Sequence, residues 1–339
     1  MIPRRLRPPL LALGAGILLV AAAEAQLGGG PPPARHHTVT QSQGARTLPA
    51  DRQPGYASRV SITVEGDSRV IRANGIPDHA VGAFPNAGNP NAISEQNRTW
   101  RMPLHPRKAD KVTRISLGVF GVAVNGVPFD LGAAEWYRGQ RRSAWQYEAL
   151  SGAVALGIDA NHAHVQPQGA YHYHGLPTAL MVRLGVRPGT HSPLIGWAGD
   201  GYPIYGLYGY ADGKGGQVRE MTASYRVKEG SRPRDGGGPG GRYDGTFTAD
   251  FEFVAGSGDL DECNGRETVT PEFPNGTYAY FLTRAWPVVS RCFIGAPDPS
   301  FTARPGGGPG GGMGPRGGPG GFGGHPPPGG FRPPPPWAR

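Results

Sequence analysis

Cysteine is scarce in this chain of 339 residues: there are two, Cys263 and Cys292. That excludes a disulfide-dense scaffold, and no Cys-x-x-Cys pair offers a ready thiolate metal site. Long apolar runs are missing after residue 23. None reaches the roughly eighteen residues that a spanning helix needs, so no later transmembrane segment is expected. Charge is sparse as well, 17% of residues, and the net +9 sits mostly at the two ends. Residues 304–339 hold four arginines and no acid, and residues 1–55 hold six arginines against Glu24 and Asp51, which leaves +1 on the remainder. With so little basicity in the middle and no RNA- or DNA-binding motif, nucleic acid is not an expected partner. No fixed-period repeat is visible.

The ends have their own character. Arg4, Arg5 and Arg7 precede an apolar run from Leu10 to Ala23 and the small-x-small site Ala23-Glu24-Ala25, the layout of a cleavable secretory leader. Leu6-Arg7-Pro8-Pro9 after the arginine pair is a poor match to a twin-arginine leader. The expected product is periplasmic or secreted, starts near Gln26, and has no membrane span after cleavage. Residues 26–55 read as a disordered linker and the glycine- and proline-rich residues 304–339 as a disordered tail, because neither can bury enough apolar surface to offset its chain entropy. Residues 56–303 remain as one folding unit. Within it, "SRPRDGGGPGGR" at 231–242 reads as a mobile surface loop.

Turn dipeptides punctuate that unit: Asn125-Gly126, Asp244-Gly245 and Asn275-Gly276, each flanked by β-prone residues. "RVSITVEG", "RISLGVFGVAV", "YPIYGLYGY" and "YDGTFTADFEFV" favour strands, and only residues 130–150 lean helical. The expected class is mainly β, an antiparallel β-sandwich or irregular barrel with a few short helices.

Against this background "HAHVQPQGAYHYHG", residues 162–175, stands out. It holds four of the ten histidines, where an even spread would put about 0.4 in a window of that size. If 160–166 and 170–174 are strands, His162 and His164 share one face of the first, and His172 and His174 one face of the second. A four-residue loop pairing Val165 with Ala170 would send the two pairs to opposite sides. A three-residue loop, Pro167-Gln168-Gly169, would pair Gln166 with Ala170 and set His164 against His172 and His162 against His174. Proline, a polar residue and glycine suit a type I turn closing on a left-handed residue, which favours the second register. Four imidazoles on one face would then be close enough to share a transition metal, zinc or copper; the rival reading is a hydrogen-bonded polar ladder. Tyr171 and Tyr173 would take the other face as aromatic core.

Carboxylates that could complete such a site are Asp159, Asp200 and the cluster Asp259, Asp261 and Glu262. The cluster is no EF-hand, since its spacing carries one residue too many and Thr270 stands where a bidentate glutamate is needed. His79, His105 and His191 are isolated and read as surface or core residues.

The motifs "GIDANHAHVQPQGAYHYHGLPTAL", "LIGWAGDGYPIYGLYGY", "YDGTFTADFEFVAGSGDLDECNGRETVTPEFPNGTYAYFLT" and "VVSRCFIG" resemble, in order, the YHYH domain family of bacterial exported proteins. "VFGVAVNGVPFD" is similar to the family's N-terminal part, so the likeness covers roughly residues 60–300. The one departure is "NGRETVTPE", where members often carry an aromatic after the arginine. The resemblance implies a domain and an exported location but no reaction. His162, His164, His172, His174, Asp261 and Glu262 fall at its motif positions. Two function classes follow. One is a metal-dependent enzyme acting on a small-molecule substrate, either a hydrolase with Asp261 or Glu262 as general base or a copper redox protein. The other is a non-catalytic metal-buffering protein or one that binds a component of the cell envelope.

Export also sets an expectation for Cys263 and Cys292. In an oxidising compartment they should be joined, a bridge worth roughly 3 to 4 kcal/mol in the loop-entropy account. Thiol labelling of denatured, unreduced mature protein should therefore find no free thiol; two labelled cysteines per chain would refute the bridge.

Overall fold

The computed structural model describes residue 42 and residues 44–302; the expected leader and the expected Gly/Pro-rich tail lie outside them. Strands make up 32% of the structure and helices 7%, and the sheets do not close into a barrel. The expected β-rich, sandwich-like class holds. The main sheet has eight strands in the spatial order Gly265–Thr268, Thr277–Phe281, Pro203–Tyr205, Leu194–Ala198, Val119–Ala123, Pro128–Asp130, Tyr171–Tyr173 and Ala163–Val165. It is mixed rather than purely antiparallel: Pro203–Tyr205 runs parallel to Thr277–Phe281, and Phe129 pairs in parallel with Tyr173. Phe120, Phe129, Tyr173, Ile195, Ile204 and Tyr280 belong to the large buried core on this sheet.

A second sheet, Val60–Glu65, Ser68–Ala73 and Arg98–Pro103, is antiparallel throughout. Its Ile71, Trp100 and Met102 pack with Val122 and Trp197 of the main sheet and with Phe301. Lys108–Arg114 pairs with Cys292–Gly295, and the Cys263–Cys292 disulfide, with Cα atoms 5.1 Å apart, ties that pair to the entrance of Gly265–Thr268.

The turn signals have different outcomes. Asn125-Gly126 closes a tight hairpin in which Gly126 N–H donates to Ala123, and Asn275-Gly276 ends the longer loop before Thr277–Phe281. Asp244-Gly245 makes no hairpin, because the Asp244 carboxylate accepts from the buried Arg232 guanidinium and from Thr246 N–H. Arg232 also donates to both oxygens of Asp250, at 2.8 and 2.5 Å. The 231–242 segment is thus closed by a Ser231–Arg242 bridge over a buried ion pair, not the unanchored loop its composition suggests.

Residues 130–150 form no α-helix. Tyr147 N–H donates to Glu135 and Tyr137 N–H to Trp145, so the segment folds back on itself around a single 3-10 turn, Tyr137–Gly139. The α-helix Thr178–Arg183 instead follows the YHYH stretch. The expected linker also needs correction at its C-terminal end. Ala45, Leu48 and Arg52 N–H groups donate to Leu150, Ile158 and Val81, so this part of the chain runs along the domain.

The hairpin that carries the histidines lies at the end of the eight-stranded sheet. Its turn is held from outside: Ser94 N–H donates to the Gly169 carbonyl, and Ser94 Oγ and Gln96 Nε2 donate to the Gln168 carbonyl. Gly169 has φ +85°, and a Cβ there would stand 1.9 Å from Ser94 Oγ. Gly169→Ala combines a left-handed backbone with a clash, so it should lower stability by about 1 to 3 kcal/mol. Urea unfolding of the variant beside the parent checks this; an unchanged midpoint would show that the turn tolerates a side chain.

Candidate metal centre

The register is the one a three-residue turn requires. His164 lies opposite His172, Ala163 opposite Tyr173 and Val165 opposite Tyr171, while Gln166 N–H donates to Ala170 and Gly169 N–H to Gln166. His164, His172 and His174 therefore share one face. Their ligand atoms all lie within 4.8 Å of one another, and the ring centroids form a nearly equilateral triangle with sides of 4.6, 4.6 and 4.7 Å.

His162 is not brought into this group. His174 N–H donates to the His162 carbonyl at 2.7 Å, so the pairing reaches residue 162. Yet His162 has φ +50°, a left-handed residue that breaks the alternation of side chains. The cause is a turn built on Asp159: its Oδ1 accepts Asn161 N–H and Ala163 N–H, and its carbonyl accepts His162 N–H. The turned ring packs beside Gly175, and Nδ1 donates to the Leu176 carbonyl at 2.9 Å.

Backbone carbonyls fix two of the three remaining rings, while Nδ1 of His174 is buried without a hydrogen-bond partner among the described residues. Nδ1 of His164 donates to Leu156 at 3.0 Å, and Nδ1 of His172 donates to Ala170 at 3.2 Å. A carbonyl only accepts, so each Nδ1 carries the hydrogen and each Nε2 keeps a lone pair. Nε2 of His172 stands 3.0 Å from Nε2 of His174. Such a gap is bridged either by a hydrogen on His174 or by a cation. Two nitrogens on one tetrahedral zinc are roughly 3.3 Å apart, so the pair is spaced close to what an ion needs.

The electrostatics keep these rings neutral. His172 and His174 are each 2% exposed and His164 is half-buried. Burial pushes His172 down to about 4; burial, with His172 nearby, pushes His164 down to about 3. His174 is driven well below its ordinary value by burial and then by His164, His172 and Arg291. Neutral imidazole is the form that binds metal.

Two charged groups that sequence reading did not select act on the triad, Asp130 and Arg291. Buried Asp130, next to Phe129 in the strand beside the hairpin, accepts from Gln166 Nε2 at 2.8 Å and interacts electrostatically with His164. Burial raises its pKa. On the His174 side, Arg291 donates to the Leu131 carbonyl at 3.0 Å and to Glu148 at 2.7 Å. Neither could be found from spacing, since Asp130 and Arg291 are remote in sequence from the histidines.

The proposed acidic partners have other neighbours. Both oxygens of Asp261 accept from Tyr278 OH at 3.0 Å, and Oδ1 also accepts from Cys263 and Gly265 N–H. Glu262 is paired with Arg114. Asp259 is paired with Arg219, and buried Asp200 accepts from Tyr280 OH at 2.6 Å. Among the described residues, the group able to hold a metal consists of the three histidines alone.

The opposite face of the hairpin is fully engaged. Tyr171 OH donates to Asp159 at 2.8 Å, and Tyr173 OH bonds Nε2 of His79 at 2.7 Å while accepting from Asn125 at 3.0 Å. His79 is thus no isolated residue but the partner of the second tyrosine of the motif. A family model described as YHYH protein matches residues 99–295. The chain belongs to the YHYH protein family. No curated protein and no solved structure matches it. In this YHYH protein the four motif residues divide by parity: the tyrosines lock one face into the core, and His172 and His174 face the triad.

The depressed histidine pKa values have a pH consequence in the metal-free protein. Between pH 6.5, the ordinary histidine value, and about pH 4, the unfolded chain takes up protons that the folded chain refuses. Stability should fall as pH drops through that window. Urea midpoints measured from pH 7 to pH 4 should decline, and His172→Gln should shallow the slope; a slope unaffected by the substitution would place the acid sensitivity elsewhere.

Proposed function

We propose that this YHYH protein is an exported, periplasmic or secreted, transition-metal protein that holds one zinc or copper ion on His164, His172 and His174. The observation that carries the reading is the convergence of three imidazoles whose ligand atoms lie within 4.8 Å, two of them with Nδ1 committed to backbone carbonyls. Imidazole suits both metals, and three protein ligands leave a coordination position for water or substrate, the pattern of catalytic rather than closed structural sites.

Three ligands rather than four favour an enzyme, and the partial exposure of His164 gives the side from which a substrate would approach. An ion bound there would supply Lewis acidity to a water molecule or a substrate oxygen. Asp130, held by Gln166 beside His164, is better placed to orient a polar group at this site than Asp261 or Glu262, whose carboxylates are engaged by Tyr278 and Arg114. We therefore favour metal-dependent hydrolysis of a small-molecule substrate. The burial of His172 and His174 supports the second reading, a non-catalytic protein that sequesters the ion.

Metal analysis of mature protein purified without a histidine tag tests the proposal. One ion per chain is expected in the parent, in His162→Ala and in Glu262→Gln, and a loss of most of it in the His172→Ala/His174→Ala double variant. Stoichiometric metal in the double variant would remove the site, and with it the enzymatic reading. Asp130→Asn should keep the metal while lowering turnover of an activated ester, by roughly 100-fold if Asp130 assists proton transfer.

A further inference from the structure

The strand Val60–Glu65 is the outermost of its sheet, and its backbone has a definite polarity. Asn74 N–H donates to the Arg59 carbonyl, and the register continues as Val60 opposite Ala73 and Ser61 opposite Arg72. Bonded and non-bonded pairs alternate in an antiparallel ladder. Ser61, Thr63 and Glu65 therefore turn their backbone groups inward, and Val60, Ile62 and Val64 turn theirs to an edge that no strand among the described residues pairs with. The side chains of those same three residues are 39%, 42% and 61% exposed. They lie on the face where, one strand further in, Ile71 and Ala73 are buried.

Such an edge is usually blunted by proline, lysine, a bulge or a covering loop. Val60–Glu65 has no proline and no lysine, and its six-residue register has no shift. The contrast is with Ala163–Val165, the outer strand of the main sheet, where Asn89 and Asn91 side chains donate to the Val165 carbonyl.

We propose that two copies of this chain pair antiparallel through Val60–Glu65 about a two-fold axis at Ile62, joining the two three-stranded sheets into one of six strands. With Ile62 opposite Ile62 of the second copy, outward backbone groups meet outward backbone groups. Val60 then faces Val64, Ser61 faces Thr63, and Arg59 faces Glu65. All six aliphatic side chains fall on one face and cover one another. The charges match too, and each is already part of an ion pair, Arg59 with Glu95 and Glu65 with Arg72, so the contact extends a network across the edge. A shift of two residues either way loses the Arg59–Glu65 match and shortens the aliphatic strip. The chain's own tail is a poor occupant, because its prolines lack the N–H donors and its glycines the side chains that strand pairing uses.

Sedimentation of the mature full-length protein should show a monomer–dimer equilibrium. Ile62→Lys places two ammonium groups opposite each other and should weaken association by at least roughly tenfold. Cα atoms of such a pair stand about 5.5 Å apart, within disulfide range, so Ile62→Cys should give a covalent dimer on mild oxidation, while Ser61→Cys should not. The proposal is overturned by a monomer up to roughly 100 µM, where even a weak interface would associate. A dimer unaffected by Ile62→Lys, or equal cross-linking at positions 61 and 62, would overturn it as well.

Discussion

The histidine site depends on the parity of one turn. With three residues between Gln166 and Ala170, His164 meets His172 on the same face; with four, it would meet the back of the strand. The parity is fixed by Gly169, which supplies the left-handed residue that the turn needs, and by Ser94 and Gln96, which hold its carbonyls from outside. Backbone geometry thereby does what no individual histidine could do. It places imidazoles from two strands at one point while the Nδ1 atoms of His164 and His172 remain tied to carbonyls of the fold.

Much of this arrangement was legible in the sequence. Alternation placed His172 and His174 together, the Pro-Gln-Gly turn indicated the register, and the only two cysteines indicated each other. What was not legible has a common physical origin. His162 obeys the alternation rule only if its backbone is extended, and the Asp159 carboxylate, which makes it left-handed, acts through hydrogen bonds that have no pattern in sequence. Asp130 and Arg291, the latter paired with Glu148, act on the site through contacts between residues distant in the chain. The same limitation hid Arg232, whose glycine-rich surroundings look unstructured until its ion pair with Asp250 is seen. In residues 130–150 helical propensity lost to the pairing of Glu135 and Tyr137 with Tyr147 and Trp145.

The two faces of the hairpin have opposite chemical characters, and the difference bears on function. On the tyrosine face every hydroxyl has both a donor and an acceptor relation: Tyr171 with Asp159 and Asn161, Tyr173 with His79 and Asn125. A buried network satisfied in this way is rigid and has no capacity left for a ligand. On the histidine face His164 and His172 spend one nitrogen each on the backbone and direct the other toward the group. Orientation is thus supplied by the fold in advance, and an incoming ion would meet ligands whose rotamers need little adjustment.

Asp159 joins the two faces. Its Oδ2 accepts from Tyr171 OH and from Gly82 N–H, which fixes the tyrosine side, while its Oδ1 holds the turn that swings His162 out of the triad. One buried carboxylate therefore anchors the core beneath the hairpin and also sets the number of imidazoles above it at three. If an ion binds there, a fourth histidine on that face would complete a tetrahedral shell and exclude water from it, whereas with His162 turned to Leu176 a coordination position would stay open for exchangeable chemistry. The residue that sets whether three or four imidazoles share the face is thus not itself one of them, and it acts by constraining the backbone at His162.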